Sequence, residues 1–171
     1  MCVNGTWSDI ILDDYLPVRP GTKSLIYGHA KSINGVGVLW VSLLEKAWAK
    51  LCGNYDRIIN GAADIGFMHL TGVPALKLKN IEYRANKEAA WDRIELAAQK
   101  QHLMLAGISD ESAGIEKDMG NGLLSNHCYS ILSVNKIKIN NQQVRLLKIR
   151  NPLGRQAYRG AWSPTSQEWT P

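Results

Sequence analysis

Two apolar runs on either side of Asn140-Asn141 constrain this chain more than any other feature. Residues 128–133 alternate and are rich in strand formers, and residues 144–149 form a second apolar run. The asparagine pair supplies turn chemistry between them, so the pattern predicts a β-hairpin. His127 and Asn151 stand at its open end, symmetric about position 139. In an antiparallel ladder, residues symmetric about the turn lie opposite one another on one face. A one-residue bulge in either strand is expected to turn one of the two side chains to the other face. Imidazole beside carboxamide is the second half of a Cys-His-Asn device, in which the carboxamide oxygen orients a ring that activates a thiolate.

The composition narrows the classes. Of the 171 residues, 45% are hydrophobic and 20% charged, a balance suited to a packed core rather than to disorder. The formal charge of +5 is scattered, with Arg145, Lys148 and Arg150 on the hairpin and Lys77 and Lys79 elsewhere. No basic stripe interleaved with aromatics emerges, so no nucleic-acid partner is expected. Three cysteines without tight spacing argue against a disulfide scaffold and for a reducing, cytoplasmic setting. Early aspartates and short apolar runs exclude a signal peptide and a membrane span.

Along the chain, residues 5–12 read as a strand ended by Asp13-Asp14 and Pro17, and residues 24–27 as a second short strand. Trp40, Leu44, Ala47, Trp48 and Leu51 fall on one helical face, which predicts a core-packed helix capped by Gly53. Residues 61–72 are polar and punctuated by glycine. Asn86 is placed to cap a helix running to about Lys100, with Ala90, Trp91, Ile94, Ala97 and Ala98 on its buried face. Residues 102–108 read as a buried strand. Residues 109–121, with Asp110, Glu111, Glu116 and Asp118, read as a solvated acidic loop that leads to His127. His29, His69 and His102 have no motif around them.

Four blocks carry a family resemblance. Gly5-Thr6-Trp7 through Asp13-Asp14-Tyr15-Leu16-Pro17 resembles a strand entering an Asp-Asp-x-Leu-Pro turn. Leu43-Leu44-Glu45-Lys46-Ala47-Trp48-Ala49-Lys50 resembles a Leu-Leu-Glu-Lys-Ala-Tyr-Ala-Lys helix. Leu70-Thr71-Gly72 is similar to the start of a Leu-Thr-Gly-Gly loop. Ile149-Arg150-Asn151-Pro152-x-Gly154, followed by Gly160-x-Trp162, resembles an asparagine motif. In this order the blocks resemble the protease core of the calpains, papain-like calcium-dependent cysteine proteases. The resemblance implies an α+β fold: residues 1–72 as the end of a helical first lobe, and residues 73–171 as most of an antiparallel, β-rich second lobe.

By resemblance, His127 takes the role of general base, Asn151 that of orienting carboxamide, and Gly72 lies along the substrate path. The substrate is then an extended polypeptide. In the family the nucleophile sits upstream of the Asp-Asp-x-Leu-Pro turn in a Gln-x-x-x-Asp-Cys-Trp setting. None of Cys2, Cys52 and Cys128 has that setting, and Cys128 is expected on the strand face opposite His127. A cysteine-bearing upstream segment is therefore the expected partner. The family's last strands are likewise expected beyond Pro171.

Other positions depart from the family pattern. Val73 replaces the second loop glycine, and Leu153 replaces a tryptophan that covers the His-Asn contact. Ala157 stands where the family has an acidic calcium ligand, so no metal site and no cofactor is expected, calcium being the one the family implies. These departures keep open an alternative, a non-catalytic protein-binding module or a remnant without a nucleophile.

Overall fold

A computed structural model describes residues 1–30, 32, 34, 36–110, 116–154 and 157–169. Glu111 lies outside the described residues. The chain divides into two compact units, Met1–Lys77 and Leu78–Pro171.

The first unit opens with strands β1 (Cys2–Val3) and β2 (Thr6–Trp7), paired antiparallel. Asn4 and Gly5 join them with positive φ values of 51° and 79°, as a two-residue hairpin requires. The strand expected over residues 5–12 stops at Trp7. Beyond it, backbone oxygens find lysine ammonium groups instead of a neighbouring strand. Lys50 Nζ donates to the Ile11 oxygen at 2.6 Å and Lys46 Nζ to the Tyr15 oxygen at 2.6 Å. Lys46 also pairs with the Asp13 carboxylate. Backbone acceptors need partners, and here the partners come from a helix. The second expected strand reduces to a single bridge between Val18 and Leu25.

That helix is α1 (Trp40–Cys52), stopped by Gly53 at a φ of 110° with its N–H on the Lys50 oxygen. Ser42, Ala47 and Ala49 are its buried positions. The expected core stripe is only partly covered: Trp40 is 66% exposed and Leu44 37%. Leu44 and Trp48 instead line an open groove with Val41, Ile58 and Leu70. A 3-10 turn (Tyr55–Ile58) follows, capped by Asn54 through the Arg57 N–H, and Tyr55 stacks on Tyr27 at 3.9 Å.

The glycine-punctuated passage contains a helix that the sequence pattern hides, α2 (Ala63–Thr71). Gly66 in its middle weakens its helical propensity. It ends at Gly72, left-handed at φ 72°, whose N–H bonds the Met68 oxygen. A side chain at Gly72 would meet the Trp7 ring at 3.2 Å.

The second unit begins with a short helix the sequence pattern also misses, α3 (Asn80–Ala85), followed by α4 (Lys87–Gln99). The expected cap is present: Asn86 Oδ1 accepts from the Ala89 N–H at 3.0 Å. A three-stranded antiparallel sheet follows, in the order β3 (Leu105–Ile108), β4 (His127–Ile139) and β5 (Gln142–Arg150). β3 starts later than expected and alternates between exposed and half-buried residues rather than being wholly buried.

The sheet is held to α4 by charge as well as by apolar contact. Lys136 and Arg145 are cross-strand partners, a like-charge pairing that disfavours a sheet. Glu95 and Glu88 on α4 answer them, Glu95 pairing with Lys136 and Glu88 with Arg145. Trp91, one helical turn after Glu88, is buried and lies 5.5 Å under the Arg145 guanidinium. Arg145 holds the Glu88 carboxyl below the usual carboxylate range.

Candidate functional site

The hairpin turn is the first determinant of the site. Asn140 and Asn141 have φ values of 48° and 62°, both in the left-handed region that a two-residue hairpin demands. They lock Ile139 opposite Gln142 and carry a regular register up to Ser133 opposite Lys148. Continued unbroken, that register would put position 151 opposite position 130, on the face away from His127. The ladder shifts between Ile131 and Ser133, leaving Leu132 as the extra residue. Ser130 then pairs with Arg150, so Asn151 follows opposite Tyr129. Residues 127 and 129 share a face. The expectation of direct opposition about position 139 is thus corrected. The two residues meet on a diagonal, and a bulge brings them to one face where the simple argument had a bulge separating them.

The contact is a hydrogen bond. His127 Nε2 and Asn151 Oδ1 are 2.9 Å apart. The same oxygen accepts from the Leu153 N–H at 3.0 Å, which identifies it as the carboxamide oxygen. Nε2 is therefore the donor, and this contact fixes the ring's tautomer on that side. The Tyr129 ring meets the imidazole edge-on at 4.9 Å, and the Tyr129 hydroxyl accepts from the buried Leu124 N–H at 2.7 Å.

The chain leading into His127 is held as firmly. Asn126, at a φ of 49°, accepts from the Asp110 N–H and donates to the Asp110 oxygen. Its own N–H reaches the Ile108 oxygen at 2.7 Å. Ser125 is fully buried and exchanges backbone hydrogen bonds with both Glu116 and Lys117. The described part of the acidic loop is largely exposed, as expected, and the Glu116 carboxylate nonetheless lies 3.2 Å from His127 Nδ1. The sequence gives one hint of this, a path of only ten residues with two glycines between the two. Nothing in its pattern says which of the acidic residues reaches the ring.

Asp118 is also engaged. Its Oδ1 accepts from the N–H groups of Gly120 and Gly122, and its Oδ2 from Arg159. The Gly122 N–H first, and then the Arg159 guanidinium, hold its carboxyl below the usual carboxylate range. Gly122, at a φ of 86°, packs against the Ala157 carbonyl so closely that a Cβ would overlap it. Among the described residues, no group of three or more His, Cys, Asp or Glu side chains is placed to hold a metal ion.

Gly72 belongs to the first unit, as the cap of α2. Cys128 is exposed and faces Gly107 across the β3–β4 pair, on the strand face opposite His127. Cys2 is buried. His69 rests on Trp48 with its ring Nδ1 buried, and His29 bonds the Tyr27 oxygen. No helix among the described residues is long and apolar enough to cross a membrane.

Comparison with known proteins gives this geometry a context. The family described as "Calpain family cysteine protease" matches residues 1–171. The chain is 34% identical over 166 residues to a calpain of Schistosoma mansoni, covering 96% of this chain and 21% of that protein. It is 33% identical over 165 residues to calpain-12 of Mus musculus, covering 96% of this chain and 22% of that protein. Against the calpain-1 catalytic subunit of Macaca fascicularis it is 31% identical over 166 residues, covering 96% and 22%. The chain spans about a fifth of the length of the curated relatives it matches. Its helices and antiparallel sheets are those of a papain-like α+β protease core, and the chain belongs to the calpain family of cysteine proteases.

Proposed function

We propose that this chain supplies the general base and its orienting carboxamide to a calpain-type cysteine endopeptidase. His127 is the base and Asn151 holds its ring; the thiolate comes from a cysteine-bearing segment outside these residues. The observation that carries this reading is the hydrogen bond from His127 Nε2 to Asn151 Oδ1, with the oxygen identified by the Leu153 N–H. One ring nitrogen is committed to orientation, and the other is left to face an anion. A thiolate there would attack a peptide carbonyl, and the ring would then pass its proton to the leaving amine. The carboxamide steers the ring without adding charge. The substrate is an extended polypeptide, with Gly72 along its path, and the setting is the reducing cytoplasm.

A second reading is a non-catalytic protein-binding module. Val73 is 60% exposed where the family pattern has glycine, and Leu153, beside the His-Asn contact, is 39% exposed. Peptide hydrolysis decides between the two. The chain is expressed in frame with the upstream part of its source transcript and offered an unstructured polypeptide. The catalytic reading expects turnover that a thiol alkylator blocks. It also expects the turnover to fall at least about a hundredfold in His127→Ala, the lower end of general acid–base contributions. Turnover that survives His127→Ala, or an upstream sequence without any cysteine, leaves the binding module.

A further inference from the structure

In a thiolate–imidazole–carboxamide device each ring nitrogen has one partner. Asn151 takes Nε2 of His127, so Nδ1 is the edge on which a nucleophile would pair. In this structure Nδ1 faces the Glu116 carboxylate at 3.2 Å. Both nitrogens thus face acceptors: a carboxamide oxygen on one side and a carboxylate on the other. Neither neutral tautomer can donate to both. A ring that donates on both sides carries both protons.

The way Glu116 is held points in the same direction. Its φ is 54°, a left-handed conformation that strains a non-glycine residue. Three contacts with buried Ser125 maintain it. The Glu116 N–H bonds the Ser125 oxygen at 3.0 Å, the Lys117 N–H reaches Ser125 Oγ at 3.3 Å, and the Ser125 N–H bonds the Lys117 oxygen at 2.9 Å. Ser125 stands two residues before His127, so one buried residue ties the carboxylate and the ring together. The His127 side chain is 8% exposed and that of Glu116 is 41% exposed. The ring is enclosed while its carboxylate partner can leave to solvent.

We propose that Glu116 is a positioning residue, a surrogate anion that holds the His127 imidazolium in place on the edge the thiolate takes. This rests on the assignment of His127 as the base. When a thiolate arrives, one anion exchanges for another on Nδ1–H. The proton stays on the ring, and the Glu116 carboxylate moves into water still ionised. The acidic loop and the nucleophile are therefore mutually exclusive partners of one nitrogen.

The test uses this chain labelled with ring ¹⁵N-histidine, at one pH near neutrality. His127 is assigned by the loss of its signals in His127→Gln, and His29, His69 and His102 serve as internal references. In the unmodified chain, His127 Nδ1–H is expected to be a resolved, slowly exchanging signal. In Glu116→Gln it is lost, and the ratio of doubly protonated to neutral His127 falls about three- to tenfold. The reference histidines do not move. Glu116→Gly gives the same ring change while relieving the left-handed backbone, so a loop-building role alone would leave the ring untouched. An unchanged His127 ratio in both variants overturns the proposal, whatever the hydrolysis experiment shows. A changed ratio with no hydrolysis by the upstream fusion leaves Glu116's role on the ring standing and removes the catalytic reading.

Discussion

Single side chains fix the loop that carries Glu116 to His127. Asp118 works through its two carboxylate oxygens, one on the Gly120 and Gly122 N–H groups and one on Arg159. Gly122 is needed because the Ala157 carbonyl occupies the space of any side chain, and its positive φ strains any other residue. The folded Asp118 carboxyl titrates below its ordinary value of 3.8, so the folded state binds its proton less readily than the unfolded state does. Its stabilisation is therefore complete above that ordinary value and is lost as pH falls through the lower folded value. Asp118→Asn is expected to lower the unfolding temperature at neutral pH, with the gap to the parent closing well below pH 3.8. Thermal unfolding followed by circular dichroism across that range measures it. A gap that stays constant with pH would show that the carboxylate charge plays no part.

Among the elements, the hairpin decides most. The Asn140-Asn141 turn sets a register that alone would separate His127 from Asn151, and the bulge at Leu132 reverses that outcome. Bulges re-aim side chains near sites, and this one changes the parity of the ladder. Deleting Leu132 is expected to leave the turn and the α4 contacts of Lys136 and Arg145 in place. It would move Asn151 to the other face and abolish the His127 Nε2 to Asn151 hydrogen bond. Nuclear Overhauser contacts between the Asn151 amide and the His127 ring report this. Contacts that persist in the deletion variant would mean that the register is set from the Asn151 end and not from the turn. The helices obey more local rules. Asn86 and Gly53 bound α4 and α1 where their side-chain chemistry and backbone freedom place them.

At the scale of the molecule, several carboxylates are engaged by cations of the fold. Glu88, Glu95, Asp13 and Asp64 pair with Arg145, Lys136, Lys46 and Lys77. Asp118 pairs with Arg159, and Glu116 faces His127. A hard cation needs several oxygen ligands converging at once, and Ala157 brings no side-chain oxygen. Calcium is expected to bind this chain more weakly than sensor sites of about 10⁻⁷–10⁻⁵ M. Titration calorimetry measures it. Micromolar affinity that disappears in Asp110→Asn and Asp118→Asn would make the acidic loop a calcium site and sink the expectation.

The amino-acid sequence by itself determined what depends on neighbours along the chain. The Asn-Asn turn, the Asn86 cap and the Gly53 stop all follow from local chemistry, and the motif marked His127 and Asn151 without giving the register that joins them. It misjudged residues 8–12, because their pattern fits a strand while the Ile11 carbonyl bonds to Lys50, 39 residues away. It hid α2, because Gly66 and the flanking glycines at 61 and 72 make a nine-residue helix read as loop. Only the tertiary structure decided the bulge at Leu132 and the arrival of Glu116 at Nδ1. A bulge is a compromise between two strands and what packs on them, and no single strand's alternation records it. A loop's path depends on anchors such as buried Ser125, whose burial the sequence pattern of the loop does not contain.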